Sequence, residues 1–211
     1  MVAPAPTLEL ERSLLDGATH DAVLIAVDEV GRGALAGPVT LGAVCIPTKV
    51  ADPPVGVRDS KAVSQRRRSQ LVPLIEEWAQ SVAVVHVPAR RIDEVGIVRA
   101  LGEGAASAVE KAAGNHHVRT VLLDGRHDFI SPVEPRWTVQ TIVRGDATCA
   151  SIAAASIIAK EQRDALMREL HRQFPVYGWD RNVGYGTAGH RLAIADNGAS
   201  EFHRRTWRLT S

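Results

Sequence analysis

Four acidic residues stand where short apolar runs end. Asp28 and Glu29 follow Ala22 to Val27, Asp124 follows Val118 to Leu123, and Asp146 comes just after Trp137 to Val143. In an open α/β sheet, ligand sites gather beyond strand ends. Four carboxylates converging there would repel one another unless cations neutralised them. Oxygen donors with no His or Cys close in sequence suit Mg²⁺ or Mn²⁺ rather than zinc. Two such ions about 4 Å apart activate water and stabilise the leaving oxygen of a phosphodiester. Each acid also has a plainer explanation. Asp28 and Glu29 could be a polar strand end, Asp124-Gly125 a turn, and Asp146 the N-cap of the helix that follows.

The residues after the acid pair sharpen the pattern. Gly31-Arg32-Gly33 sets a cation between two residues without side chains. Glycine lets the backbone approach a ligand closely, and exposed N–H groups beside an Arg suit a phosphate or a sugar hydroxyl. An ordinary turn between strands is the competing explanation. Lys61 and the run Arg66, Arg67, Arg68 are either solvated surface or contacts to a polyanion. Lys160, Arg163 and Asp164 are surface charges or supports for the site. His190 and His203 read as structural, because acidic ligands around an activated water need no histidine base. Trp78, Trp137, Trp179 and Trp207 read as core or rim packing, with stacking on a base as the other reading of Trp179.

The elements that must position these residues follow from periodicity. Ala22 to Val27 reads as a buried strand, and Ala34 to Pro47 as a second with Pro38 and Gly42 as breaks or bulges. Ser64 to Gln80 reads as a helix capped by Ser64, with Leu71, Leu74, Ile75 and Trp78 at helical spacing. Ser81 to Val87 is a third strand, and Arg90 to Ala113 a helix weakened by Gly96, Gly102 and Gly104. Val118 to Leu123 and Trp137 to Val143 are further strands. Cys149 to Phe174 is a long helix opened by Asp146, and short helices and loops complete the chain. The order predicts a single α/β domain over 21–211 with a mixed sheet, preceded by a loose, flexible leader over 1–20 that holds one short helix at most.

Composition fits this picture. The 211 residues are 45% hydrophobic, 23% charged and 4% aromatic, so the core is aliphatic and the composition is that of a globular rather than a disordered chain. No apolar run reaches membrane-spanning length, and no basic residue precedes an apolar N-terminal stretch, so neither a membrane span nor a signal peptide is expected. The two cysteines, Cys45 and Cys149, read as reduced core residues of a cytoplasmic protein. Net charge is +1, so any polyanion must be held by local patches.

The string from Val27 to Val39 resembles the opening signature of the bacterial ribonuclease HII family, the type 2 ribonucleases H. Further segments agree in order: Asp59-Ser60-Lys61, Leu122-Leu123-Asp124-Gly125 and Arg144-Gly145-Asp146-Ala147. Ala155-Ser156-Ile157-Ile158-Ala159-Lys160 follows with Arg163-Asp164, then Gly184-Tyr185-Gly186-Thr187 with His190, and His203-Arg204-Arg205. The resemblance spans about residues 22–207.

It implies a ribonuclease H-like fold with a mixed five-stranded sheet flanked by helices and a helical C-terminal part. The implied activity is endonucleolytic cleavage of the RNA strand of RNA/DNA hybrids, and cleavage 5′ to single ribonucleotides embedded in duplex DNA. The product ends are 3′-hydroxyl and 5′-phosphate, and the role is ribonucleotide removal from DNA. Asp28, Glu29, Asp124 and Asp146 become the ligands of Mn²⁺ or Mg²⁺, two ions during catalysis. Gly31, Arg32 and Gly33 would lie against the ribose 2′-hydroxyl, the group that separates RNA from DNA. Tyr185 would stack on the neighbouring sugar, and Lys61 would meet the phosphate backbone. A monomer is expected, and no protein partner is indicated.

The chain departs from the family at Val183, where a Lys usually precedes Gly-Tyr-Gly-Thr, with Arg181 as a substitute cation, and at Gly96-Ile97, where Asn-Ile is frequent. A junction resolvase or integrase-like nuclease would share the acids without the Gly-Arg-Gly and Gly-Tyr-Gly-Thr strings. A non-catalytic binding module would not need all four carboxylates.

Overall fold

The apolar run at Ala22 is buried on both sides because it becomes the central strand of the sheet. The computed structural model describes residues 5–210. In chain order these form α1 (Glu9–Leu15), β1 (Ala22–Val30), β2 (Val39–Pro47), a 3₁₀ turn (Ser60–Ala62), α2 (Gln65–Trp78) and β3 (Ser81–Val87). Then come α3 (Ala89–Val95), α4 (Ile97–Ala113), β4 (His117–Asp124), β5 (Val139–Ile142), α5 (Gly145–Thr148) and α6 (Ala150–Gln173). A second 3₁₀ turn (Pro175–Tyr177), α7 (Trp179–Asn182) and α8 (Ala188–Asn197) follow. The sheet runs β3-β2-β1-β4-β5. β2 pairs antiparallel with both β3 and β1, whereas β1, β4 and β5 are parallel, which gives the expected mixed sheet.

Strand alternation divides the core in two. Val23, Ile25 and Val27 face α4, whose Ala100, Leu101, Ala105, Ala108 and Val109 cover that side. Leu24 and Ala26 face α6 and α2, against Ile152, Ala155, Ile158, Leu71 and Ile75. The far half of α6 carries a third cluster with the C-terminal helices, around Met167, Tyr177, Trp179 and Ile194. Cys45 and Cys149 are unpaired and buried, as expected. No helix among the described residues is long and apolar enough to cross a membrane.

Several expectations need correction. The leader is not loose over its described part, and residues 1–4 lie outside the described residues. Thr7 bridges Cys149, Leu8 and Leu15 are buried, and Glu11 on α1 accepts from the Ser151 amide and hydroxyl at the start of α6. The contacts that anchor it lie 140 residues away in sequence, so local composition could not show them. The second strand begins at Val39, because residues 34–38 dock against distant segments instead of a strand. Gly42 is neither break nor bulge. The β1–β2 ladder runs through it without a shift, and a side chain there would strike the Ala155 carbonyl of α6. The long helical stretch divides at Gly96, whose φ is +81, while Gly102 and Gly104 sit inside α4 and give room to Phe129, Leu41 and Val87. Leu74 is exposed while Leu71 and Ile75 are buried. Asp146 lies in the first turn of a separate short helix and does not cap α6.

Candidate active site

β1 extends past its apolar run and carries Asp28 and Glu29 to the end of the sheet. Alternation puts Asp28 on the α6 side and Glu29 on the other. Val27 pairs with Leu123, so Asp28 and Asp124 end neighbouring parallel strands side by side. On the next strand Ile142 pairs with Asp124, and the chain then turns through Arg144, at φ 59, into α5 with Asp146. The turn is held by Asp124, whose Oδ1 accepts from the Gly145 amide at 2.7 Å and the Asp146 amide at 3.4 Å. Acids from three separate segments therefore stand together where β1 and β4 end and α5 begins.

Asp28, Glu29 and Asp146 hold their protons more tightly than free carboxyls do, through burial first and neighbouring acids second. Burial pushes Asp28 up to about 8, with Glu29 and Asp124 adding to it. Hydrogen bonds from Ser156 and from the Glu29 amide, at 2.8 Å, work against the shift. Glu29 is raised by burial and Asp124, although Arg32, 3.5 Å from its Oε1, opposes this. Asp146 is raised by burial and then by Asp124 and Asp59, against the pull of Lys61. Among the described residues, no three acidic, histidine or cysteine side chains close into a preformed cage. A divalent cation suits this donor set: all ligands are oxygens, and protons held by burial and repulsion are what a hard cation displaces.

The glycine segment adjoins these acids. Gly31 to Ala34 form a turn closed by the Ala34 amide on the Gly31 carbonyl, at 3.2 Å. Gly31 has φ +84, and a side chain there would overlap the Arg163 guanidinium. Gly33 is different. Its backbone is exposed and a Cβ would meet nothing within 4 Å, so no protein atom demands glycine there. The Leu35 and Ala36 amides donate to the Gly184 carbonyl at 2.8 and 3.1 Å, which docks the Tyr185 loop against the turn. Tyr185 is 37% exposed. Its carbonyl is held by His190 Nδ1 at 2.9 Å, and Arg163 lies 5.7 Å from its ring.

Lys61 also belongs to this place. Its Nζ lies 3.5 Å from Asp146 Oδ2 and 3.7 Å from Asp59 Oδ1, on a side chain 78% exposed. Burial opposes its charge, but Asp59, Asp146 and Asp28 outweigh that and raise its pKa. Other candidates fall elsewhere. Arg68 is buried and pairs with Asp164, Lys160 is held by the same Asp164 at 2.7 Å, and Arg67 donates to the Val55 carbonyl. His190 and His203 are buried, Nε2 to Nε2 at 3.1 Å, and Trp179 donates to His190 from a fully buried ring that no base reaches. The sequence reading missed Ser156, which approaches Asp28 from α6 and meets Ser60 at 2.8 Å. The Ala155-Ser156-Ile157 string was visible, but its facing strand was not.

A family model described as Ribonuclease HII matches residues 25–210. The chain is 40% identical over 203 residues to the ribonuclease HII of Streptomyces avermitilis, covering 96% of this chain and 83% of that protein. Among solved structures, the ribonuclease H2 of Pyrococcus horikoshii OT3 matches with a TM-score of 0.72 at 24% identity, covering 89% of this chain and 94% of that one. Bst ribonuclease HIII in complex with Mn²⁺ matches with a TM-score of 0.65 at 19% identity, covering 94% and 71%. The structural matches carry the fold: the mixed five-stranded sheet and flanking helices are ribonuclease H-like.

Proposed function

The chain belongs to the ribonuclease HII family, endonucleases that act on the RNA of RNA/DNA hybrids, and from that premise we propose that it also cuts 5′ to a single ribonucleotide embedded in duplex DNA, leaving 3′-hydroxyl and 5′-phosphate ends. One observation carries this reading. The turn at Gly31 to Gly33 is continuous with Asp28 and Glu29, and its Gly33 opens onto space that no protein atom fills. Whatever the turn touches lies beside the bond that the carboxylates serve.

Asp28, Glu29, Asp124 and Asp146 are the residues that would hold one or two Mn²⁺ or Mg²⁺ ions. Bound there, divalent cations supply Lewis-acid stabilisation of charge developing on the phosphate and favour ionisation of the attacking water. The chain supplies the positioning. Asp124 fixes the turn that presents Asp146, and Ser156 stands beside Asp28. Gly31, Arg32 and Gly33 meet the ribose 2′-hydroxyl, which a side chain at 33 would block. Tyr185, docked against that turn, offers a flat face to the adjoining deoxyribose. Lys61, exposed and cationic, meets the phosphate backbone; Arg181, 87% exposed, stands near the position of the usual Lys. The chain acts as a monomer in the cytoplasm, where two unpaired thiols are at home, and serves ribonucleotide removal from DNA.

The test is cleavage of three duplexes: an RNA/DNA hybrid, DNA with one ribonucleotide, and all-DNA. Each is assayed with Mn²⁺, with Mg²⁺ and with chelator. The first two should be cut with metal only, and the third never. Turnover in chelator, or an uncut single-ribonucleotide duplex, would overturn the proposal.

A further inference from the structure

Two buried arginines have no acidic partner. Arg163 and Arg204 are each 0% exposed, and neither joins an ion pair within 4.0 Å among the described residues. Burying a charge without a counter-ion is costly unless hydrogen bonds replace the lost water. Here they do, and their acceptors cluster in one short segment. Arg204 donates to the carbonyls of Gly31 at 2.6 Å, Arg32 at 2.7 Å and Gly37 at 3.3 Å. Arg163 donates to Ala36 at 3.2 Å, Pro38 at 2.9 Å and, from the Tyr185 side, Val183 at 2.8 Å.

Peptide planarity turns this into a statement about the opposite side of the turn. In a trans peptide the C=O and the following N–H point in opposite directions. With the Gly31 and Arg32 carbonyls drawn inward onto Arg204, the amides of Arg32 and Gly33 point outward. Neither amide donates to any group among the described residues. Two unused donors thus face the open space at Gly33, one turn from Asp28 and Glu29. The two guanidinium groups behind them make no ion pair among the described residues and, of the carboxylates, feel only the more distant Asp164 and Asp93, so they favour an electron-rich atom in front.

We propose that Arg163 and Arg204 are positioning residues for ribonucleotide selection, holding the turn so that the Arg32 and Gly33 amides donate to the 2′-oxygen of the ribose. This rests on reading the turn as the sugar site. The native requirement for Gly31 follows from the same device, since its missing side chain leaves room for Arg163. Lysine at either position keeps the charge but cannot reach several carbonyls at once.

Binding is measured by fluorescence anisotropy in chelator, comparing a single-ribonucleotide duplex with its all-DNA counterpart. Wild type should prefer the former. Arg204→Lys and Arg163→Lys should lose most of that preference, about fivefold to tenfold for two weakened hydrogen bonds, with all-DNA affinity kept. Asp93→Ala is the stability control. Its carboxylate holds Arg205 and Thr206 beside Arg204 without touching the turn, so the preference should survive there. Preference retained in the folded lysine variants, or lost equally in Asp93→Ala, overturns the proposal. A wild type with no preference removes the sugar-site reading itself. Backbone amide NMR of the wild type needs no variant. The Arg32 and Gly33 resonances should move with the single-ribonucleotide duplex and not with all-DNA, and unmoved resonances refute the assignment.

Discussion

Asp28 carries the clearest conflict between folding and function. Its carboxyl is buried beside Glu29 and Asp124 and is raised from the ordinary 3.8 to about 8. Between those values the folded chain keeps a proton that the unfolded chain has released. Its contribution therefore favours the fold below about 4 and is lost as pH rises to about 8. Asp28→Asn should accordingly raise the Tm of the metal-free protein, by a margin that opens across that window and is smallest at low pH. The same substitution should reduce cleavage by about 100-fold or more, as should Glu29→Gln, Asp124→Asn and Asp146→Asn. Thermal melts in chelator from acid to alkaline pH check the first claim, and kcat the second. The two glycines separate in the same way. Gly31→Ala should cost stability, about 1–3 kcal/mol from its φ and the Arg163 overlap. Gly33→Val should leave Tm near wild type and lose most activity on ribonucleotide substrates. The acids were legible because strand ends are legible from apolar runs. The work of Arg163 and Arg204 was not, since the carbonyls they hold in the segment from Gly31 to Pro38 lie more than 120 residues earlier in the chain.

At the scale of elements, alternation and helical spacing reported type faithfully and docking poorly. β3 occupies Ser81–Val87 as expected, and Ser64 caps α2 by accepting from the Arg67 amide. Both depend on neighbouring residues only. The N-terminal segment reads as loose because its anchor, Glu11, is a charged residue that only the packed fold shows fully buried as a cap on α6. Glu11→Ala should therefore lower stability by about 1–2 kcal/mol, the usual cost of a lost cap, measurable as a drop in denaturation midpoint. An unchanged midpoint would mean that α6 needs no such cap. Gly42 reads as an irregularity because glycine in a strand usually weakens it. Its actual service is to let α6 approach the strand pair that bears Asp28, which only the packed sheet reveals.

For the whole molecule, a net charge of +1 means that duplex binding depends on a few placed cations rather than on bulk attraction. Affinity should fall with salt along a shallow slope of a few phosphate contacts. Lys61→Ala should weaken all-DNA and ribonucleotide-containing duplexes alike and reduce the slope by about 1. Affinities unchanged for both would remove Lys61 from the backbone contacts. Tyr185→Ala should harm single-ribonucleotide cleavage more than cleavage of long hybrids, which have few RNA–DNA junctions; equal loss would leave Tyr185 a general positioning role. The central claim is that one cluster of acids and one adjoining glycine turn together read a single ribose and cut beside it. Its most direct test maps the cut at single-nucleotide resolution in duplex DNA carrying one ribonucleotide, with metal present. The account predicts one cut on the 5′ side of the ribonucleotide, with 3′-hydroxyl and 5′-phosphate ends that leave the ribonucleotide on the downstream fragment. A cut on its 3′ side, or cuts scattered through the flanking DNA, would contradict it.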